Sequence, residues 1–251
     1  MPHSSWHGTR MDDDEGCAQR RSRCLPADFA APGNLRGMAQ TRQPAGPRMF
    51  NRGSHLARVG DQRAEIYRIK DGWACRYDVL ADGRRQITDL YLPGDYCEPQ
   101  WLITREASAP IMALTRLAAE PISIDLLYRQ DQEGVKQVLS GIVRNLERQT
   151  QWLVRLGRKN ATERMLELLA DLHERLGSRG VPTLISLNQI EIADVVGLTP
   201  VHVNRILHRL ADKGFVVQQG RSLFVTPLIA SAADAESAQR PTRAPDPVSI
   251  Q

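Results

Sequence analysis

The chain has 251 residues, of which 33 are Lys or Arg and 29 are Asp or Glu, for a formal net charge of +4. That length suits one large domain or two modest ones with their own cores, and a mild positive balance permits a polyanionic partner without requiring one. No apolar run approaches the length needed to span a membrane, and the first stretch of chain lacks the hydrophobic region of a secretory signal, so a cytoplasmic location is expected.

Residues 1–48 are rich in Arg, Asp, Gly, Pro and Ser with no sustained period, and from Ala230 onward the chain is mostly Ala, Ser, Pro and Asp. Both are expected to be disordered, as a leader at 1–48 and a tail at 230–251. Met38 and Met49 offer alternative translation starts inside or just past the leader.

The stretch 49–130 changes character. Short β-rich runs, "AEIYRI", "WACRYDVL", "RQITDLYL" and "APIMALTRLAAEPISI", are separated by turn signals at Lys70-Asp71-Gly72, Ala81-Asp82-Gly83 and Pro93-Gly94-Asp95. Asp-Gly pairs between alternating apolar runs predict hairpins, and hence an antiparallel β-roll or jelly roll. A small roll encloses a pocket, which suggests a sensor.

The proline-free run at 131–158 reads as one long helix. Val135, Leu139, Ile142, Leu146, Gln149, Leu153 and Leu156 step alternately by four and three, the seam of a coiled coil. Gln149 is a polar seam residue, of the kind that fixes register at some cost in stability. The seam favours a parallel homodimer over a helix packed along its own domain.

Residues 159–229 complete the folded part. Asn160 and Glu163 form a capping box ahead of the stripe Met165, Leu168, Leu169, Leu172 and Leu176. Asn188 and Glu191 form a second box, with Ile190, Ile192, Val195 and Val196 as apolar positions and Gly197 as the turn. Thr199 then caps "PVHVNRILHRL", with Pro200 at the first helical position. Val203, Ile206, Leu207 and Leu210 make its dry stripe, while Val201, His202, Asn204, Arg205, His208 and Arg209 are left outside. Gly214 supplies the stop. Runs at 215–217 and 223–225, joined by a turn containing Gly220, add a wing. The fold class is therefore α+β: an N-terminal antiparallel β-roll, a long dimerisation helix and a C-terminal winged helix-turn-helix.

Charge sharpens that reading. From Thr199 to Arg221 the cations are Arg205, Arg209, Lys213 and Arg221 against Asp212 alone. The preceding stretch from Asn160 to Leu198 is acidic on balance, with Glu163, Glu167, Asp171, Glu174, Glu191 and Asp194 against Arg164, Arg175 and Arg179. Basic side chains beside a helix N-terminus are what docking on a phosphate backbone needs, so double-stranded DNA is the expected partner.

Together, "DGRRQITDLYLPGD", "WLVRLGRKNATERMLELLADL" and "IADVVGLTPVHVNRILHRLADKG" resemble the Crp/Fnr family of bacterial transcription regulators, over residues 50 to 228 or so. The resemblance implies a homodimer whose roll binds an effector and whose second DNA helix enters the major groove at each half of an inverted repeat. RNA polymerase is an implied partner. Arg205 falls where the family usually carries an arginine that reads guanine, by a bidentate contact to O6 and N7. Val201 stands where many members have glutamate, so the preferred base there is expected to differ. His202 and Asn204 are candidates for bases or phosphates, Arg209, Lys213 and Arg221 for phosphate, and Thr199 and Pro200 are further candidate DNA contacts, with Pro200, Val201 and His202 replacing part of the usual code.

The effector is less legible. Cyclic-nucleotide sensors of the family carry a Gly-Glu pair after the Pro-Gly-Asp turn and later an Arg-Ser-Ala string. Here Glu98 and Pro99 stand at the pair, and Ala107 replaces the arginine that would balance a phosphate. A buried phosphate without that partner is poorly compensated, so cyclic AMP is not expected unless Arg105 swings in. The resemblance places candidate pocket residues at Gly94, Asp95, Cys97, Glu98, Arg105 and Ser108. Four cysteines, Cys17, Cys24, Cys75 and Cys97, do not match the spacing of the family's iron–sulfur branch, so neither a cluster nor haem is expected, and no cofactor is identified. Cys75 and Cys97 read as packed thiols, with a thiol switch as the alternative. No hydrolase, phosphate-cradling or metal-hydrolase motif stands in suitable context, so an enzyme is not expected. The rival from another class is a regulatory or scaffolding subunit that works through protein contacts, with a relict winged helix.

Overall fold

The computed structural model describes residues 46–130, 132–177 and 180–231, all within one compact unit. The leader through residue 45, with Cys17, Cys24 and Met38, lies outside the described residues, as does the tail beyond residue 231.

In chain order the roll contains β1 (Arg48–Phe50), β2 (His55–Ala57), β3 (Glu65–Asp71), β4 (Ala74–Val79), β5 (Arg85–Tyr91), β6 (Tyr96–Cys97), the short helix α1 (Trp101–Thr104), β7 (Ile111–Ala113) and β8 (Leu117–Ser123). Two four-stranded antiparallel sheets form, in orders β1-β8-β3-β6 and β2-β7-β4-β5. The strand at Arg48 begins one residue inside the expected leader and pairs with β8 through Met49 opposite Ala118. Between the sheets, Ile66, Ile69, Ala74, Tyr91, Ile111, Ala113 and Ala119 make one buried core with Trp101.

One of the two expected Asp-Gly hairpins proves to be something else. Ala81-Asp82-Gly83 does join a hairpin, β4 to β5. At Asp71-Gly72 the chain instead passes from one sheet to the other, because β3 pairs with β8 and β6 while β4 pairs with β5 and β7. Gly72 is required there by crowding: with φ +79°, a Cβ would lie 2.2 Å from the Arg116 carbonyl oxygen. Pro93-Gly94-Asp95 likewise carries the chain from β5 to β6 in the opposite sheet. An Asp-Gly pair marks a tight turn, and strand partners decide whether it closes a hairpin.

After β8 come α2 (Ile124–Gln130) and α3 (Gln132–Arg158), about 40 Å long at 1.5 Å per residue. Val138 is fully buried against the roll, Gly141 lies 3.1 Å from the Tyr96 ring at its would-be Cβ, and Asn145 is buried. Of the expected seam, Leu139, Leu146 and Leu153 are exposed, whereas Val135 packs on the roll's core and Ile142, Gln149 and Leu156 are half-buried. The four-three rhythm merges two adjacent faces. Leu139, Val143, Leu146, Thr150 and Leu153 share the outward one.

The C-terminal part comprises α4 (Ala161–Arg175), β9 (Thr183–Ile185), α5 (Gln189–Val196), α6 (Pro200–Asp212), β10 (Val216–Gln219) and β11 (Ser222–Val225), with the three strands paired in the order β10-β11-β9. Both capping boxes form: Asn160 accepts from the Thr162 and Glu163 amides, and Asn188 from the Glu191 amide. Met165, Leu168, Leu169 and Leu172 are buried and Leu176 half-buried. Ile190, expected on the apolar face of α5, is 58% exposed, while its neighbour Glu191 is buried. Glu191 is held there by its capping bond to the Asn188 amide and by Arg52 at 2.5 Å. A helical turn at 228–231 buries Ile229, so ordered chain runs just past the expected tail boundary.

Candidate DNA-binding interface

Gly197, at φ +66°, ends α5 and turns the chain into Thr199, whose hydroxyl accepts the His202 amide at 3.3 Å. Pro200 occupies the first turn, where its missing N–H costs nothing. Val203, Ile206, Leu207 and Leu210 are buried in a core shared with Leu166, Leu169, Val196 and Val225. Burying four such side chains is worth roughly 1.5–3 kcal/mol each, which fixes α6 in rotation about its axis.

That rotation decides what faces outward. Val201, His202, Arg205, His208 and Arg209 are exposed, and Asn204 is half-exposed. The Gln189 amide donates to Asn204 Oδ1 at 3.3 Å, which leaves the Asn204 amide hydrogens to donate outward. The wing is closed by the register Gln219 opposite Ser222, with Arg221 exposed at its tip, and Thr226 ties its base to the Gly214 carbonyl at 2.8 Å. Lys213 is exposed at the end of α6.

Several arginines elsewhere are held by ion pairs within the protein. Arg48 pairs with Glu65 (2.8 Å), Arg85 with Asp194 (2.7 Å), Arg105 with Asp125 (2.8 Å), Arg155 with Glu167 (3.0 Å) and Arg175 with Asp95 (2.6 Å). Among the described residues Arg205, Arg209, Lys213 and Arg221 form no ion pair. Their charge is therefore free for an external anion.

The residues named for an effector pocket are only partly brought together: Glu98 and Ser108 share one neighbour, whereas Asp95 and Arg105 turn to other partners. Gly94 is the turn residue, at φ +97°. Asp95 caps the Leu92 amide at 2.9 Å and points to Arg175. Cys97 is in the core, where burial pushes its thiol well above the ordinary range; burial does the same to Cys75, pushing it up to about 12. Neither is a poised thiolate. Arg105 turns outward to Asp125, and Ala107 is fully buried. Glu98, at φ 49°, is fully buried and accepts from the Tyr91 hydroxyl at 2.5 Å and from Gln100. Burial raises its pKa, against those donors and Arg76.

Sequence reasoning missed Arg76. It lies 3.6 Å from Glu98 and donates to Ser108 at 3.5 Å, so the roll supplies from β4 a cation that already serves Glu98. Elsewhere in the roll, Arg63 is stacked 4.6 Å from the Trp101 ring centroid and 5.3 Å from that of Tyr67. Such pairs join residues far apart in the chain, and no local spacing announces them. A separate cleft opens between β5, α3 and α4, lined by Asp89, Arg148, Trp152, Asp171 and Arg175.

Two domain models match this chain. A cyclic nucleotide-binding domain covers residues 47–120, and a Crp-like helix-turn-helix domain covers 163–227. The chain belongs to the Crp/Fnr family of transcription regulators. Among similar Crp/Fnr proteins, the nitrogen fixation regulation protein FixK of Rhizobium meliloti is 28% identical over 175 residues, 68% of this chain and 80% of that one. The transcriptional activator protein anr of Pseudomonas aeruginosa is 23% identical over 184 residues, 71% of this chain and 75% of that one. In fold, FixK2 from Bradyrhizobium japonicum matches 75% of this chain and 95% of its own, with a TM-score of 0.67 and 22% identity. As a Crp/Fnr regulator the protein binds DNA, and α5 and α6 are its helix-turn-helix.

Proposed function

We propose that the protein acts as a homodimer on an inverted repeat, with α6 of each protomer in the major groove. What carries this reading is the unpaired basic face of α6 and the wing, set on a helix whose rotation is fixed by a fully buried stripe. Arg205 reads guanine through O6 and N7; Val201 touches a thymine methyl where a glutamate would accept from cytosine; His202 and Asn204 donate to bases or phosphates. Thr199 and Pro200 present the helix N-terminus, and Arg209, Lys213 and Arg221 hold phosphate. The outward apolar face of α3 pairs the protomers through Leu139, Val143, Leu146, Thr150 and Leu153. RNA polymerase is the downstream partner, and residues 49–130 serve as the sensor.

Cyclic AMP is not the effector in this reading. Ala107 stands where the phosphate's arginine is needed, and Arg76 already serves the buried Glu98. Gel-shift titration across salt concentrations tests the whole proposal. A slope of log affinity against log salt corresponding to several neutralised phosphates supports it, and an absence of binding even at low salt returns the reading to a scaffolding subunit.

A further inference from the structure

The winged helix is fastened to the roll by an apolar core that Ile87, Leu90 and Leu92 share with Leu168, Leu169 and Val195, by the pairs Arg85–Asp194 and Arg52–Glu191, and by a polar joint at the end of α4. Arg175, the last residue of α4, donates through Nη2 to Asp95 Oδ2 at 2.6 Å and to the Leu90 carbonyl at 2.7 Å, while its Nη1 reaches Asp171 at 3.5 Å. Asp95 is itself immobilised, since Oδ2 accepts the Leu92 amide at 2.9 Å. From α3, Arg148 approaches Asp95 Oδ1 at 3.7 Å. The Arg175 and Asp95 side chains are 17% and 20% exposed, so the pair is mostly sheltered from the solvent that makes surface ion pairs weak. One turn of the sensor, Pro93-Gly94-Asp95, is thus gripped by the DNA-binding domain and by the long helix together.

We propose that Arg175 and Asp95 are positioning residues for DNA binding. They touch no base. With Arg85–Asp194 and Arg52–Glu191 holding α5, their pair at the end of α4 sets the angle at which each winged helix leaves its roll, and with it the separation of the two reading helices in the dimer. The proposal rests on the reading of the protein as a dimer on an inverted repeat, in which two half-sites must be met at one spacing. An error in angle costs little on one half-site and much on two.

The test is a double-mutant cycle on the full chain: wild type, Asp95→Asn, Arg175→Gln and the double variant. Each is titrated against a duplex with both half-sites recovered by selection and against one with a single half-site. Each single variant is expected to lose about tenfold on the two-half-site duplex and to change little on the single half-site, and the double is expected to be no worse than Arg175→Gln, because both break one contact. Additive losses in the double, or equal losses on both duplexes, would overturn the assignment. Should circular dichroism show Arg175→Gln unfolded, the near-isosteric Asp95→Asn decides through the two-duplex comparison. A wild type that held both duplexes equally would remove the dimer reading, and the proposal with it; that failure shows in the wild-type arm alone.

Discussion

Helices α6 and α3 each bury one face and expose another, and the exposed faces are opposites. On α6 the outside is His202, Arg205, His208 and Arg209; on α3 it is Leu139, Val143, Leu146 and Leu153, at 44%, 54%, 58% and 72% exposure. A charged exposed face sits comfortably in water and waits for a polyanion. An apolar one of this extent asks for a partner surface, and a second copy of the same helix fits because the pattern steps by four and three. The inner faces differ as well. Under α6 the packing is wholly apolar, whereas α3 carries Arg148 toward the roll, where Asp89 is buried with no hydrogen-bond partner for its Oδ2 among the described residues.

Substitutions that exchange these characters should separate the two roles. The largest effect is expected from Leu146→Glu, which puts a charge in the middle of the outer face of α3. Sedimentation should shift from dimer to monomer with circular dichroism unchanged, and affinity for a two-half-site duplex should fall by about a hundredfold or more as the second site ceases to be held locally. A dimer that persists would mean that another surface pairs the protomers.

Next in size is the inner face of α3. Burial raises Asp89 to about 6 from its ordinary 3.8, with Arg148 and Arg175 pulling the other way. The folded chain therefore holds this proton more tightly than the unfolded one. The stabilisation is full below the unfolded value, declines as the pH rises through the interval, and is lost above the folded value. Asp89→Asn should flatten that decline, so that urea midpoints from about pH 4 to about pH 7 differ less than in wild type, by up to about 3 kcal/mol. Parallel curves for the two proteins would place the Asp89 carboxyl in water.

On α6, Arg205→Ala is expected to cost about 1–3 kcal/mol on the selected duplex and to relax one base position, with dimerisation untouched. Arg221→Ala, at the wing, should lower affinity evenly across sequences and reduce the salt slope by about one. Thr199→Ala should lower the melting stability by about 1 kcal/mol through loss of the cap.

How much of this was legible beforehand depended on the range of the interaction. Thr199, Asn188-Glu191, Asn160-Glu163 and the stripe of α6 are local patterns, and the structure places them as their spacing predicts. Sheet partnership is not local, so Asp71-Gly72 read as a hairpin when it is a corner between sheets, and β9 went unread. The rhythm of α3 failed differently: steps of four and three hold equally for two adjacent faces, and only the roll beneath shows that Val135 faces inward while Leu139 faces out. The candidate pocket suffered most, because Arg76 with Glu98 and Arg175 with Asp95 are pairs that folding alone brings together. Motif position said nothing about which way Asp95 would turn.

The role of α6 is tested most sharply by selection of DNA bound by the full chain from a random pool, run side by side with Arg205→Ala. A dimer that reads guanine through Arg205 should return an inverted repeat with half-sites about 10 base pairs apart, each holding a guanine whose preference disappears in Arg205→Ala. Recovery of unrelated sequences, or of the same repeat with the same guanine preference from both proteins, would contradict that role.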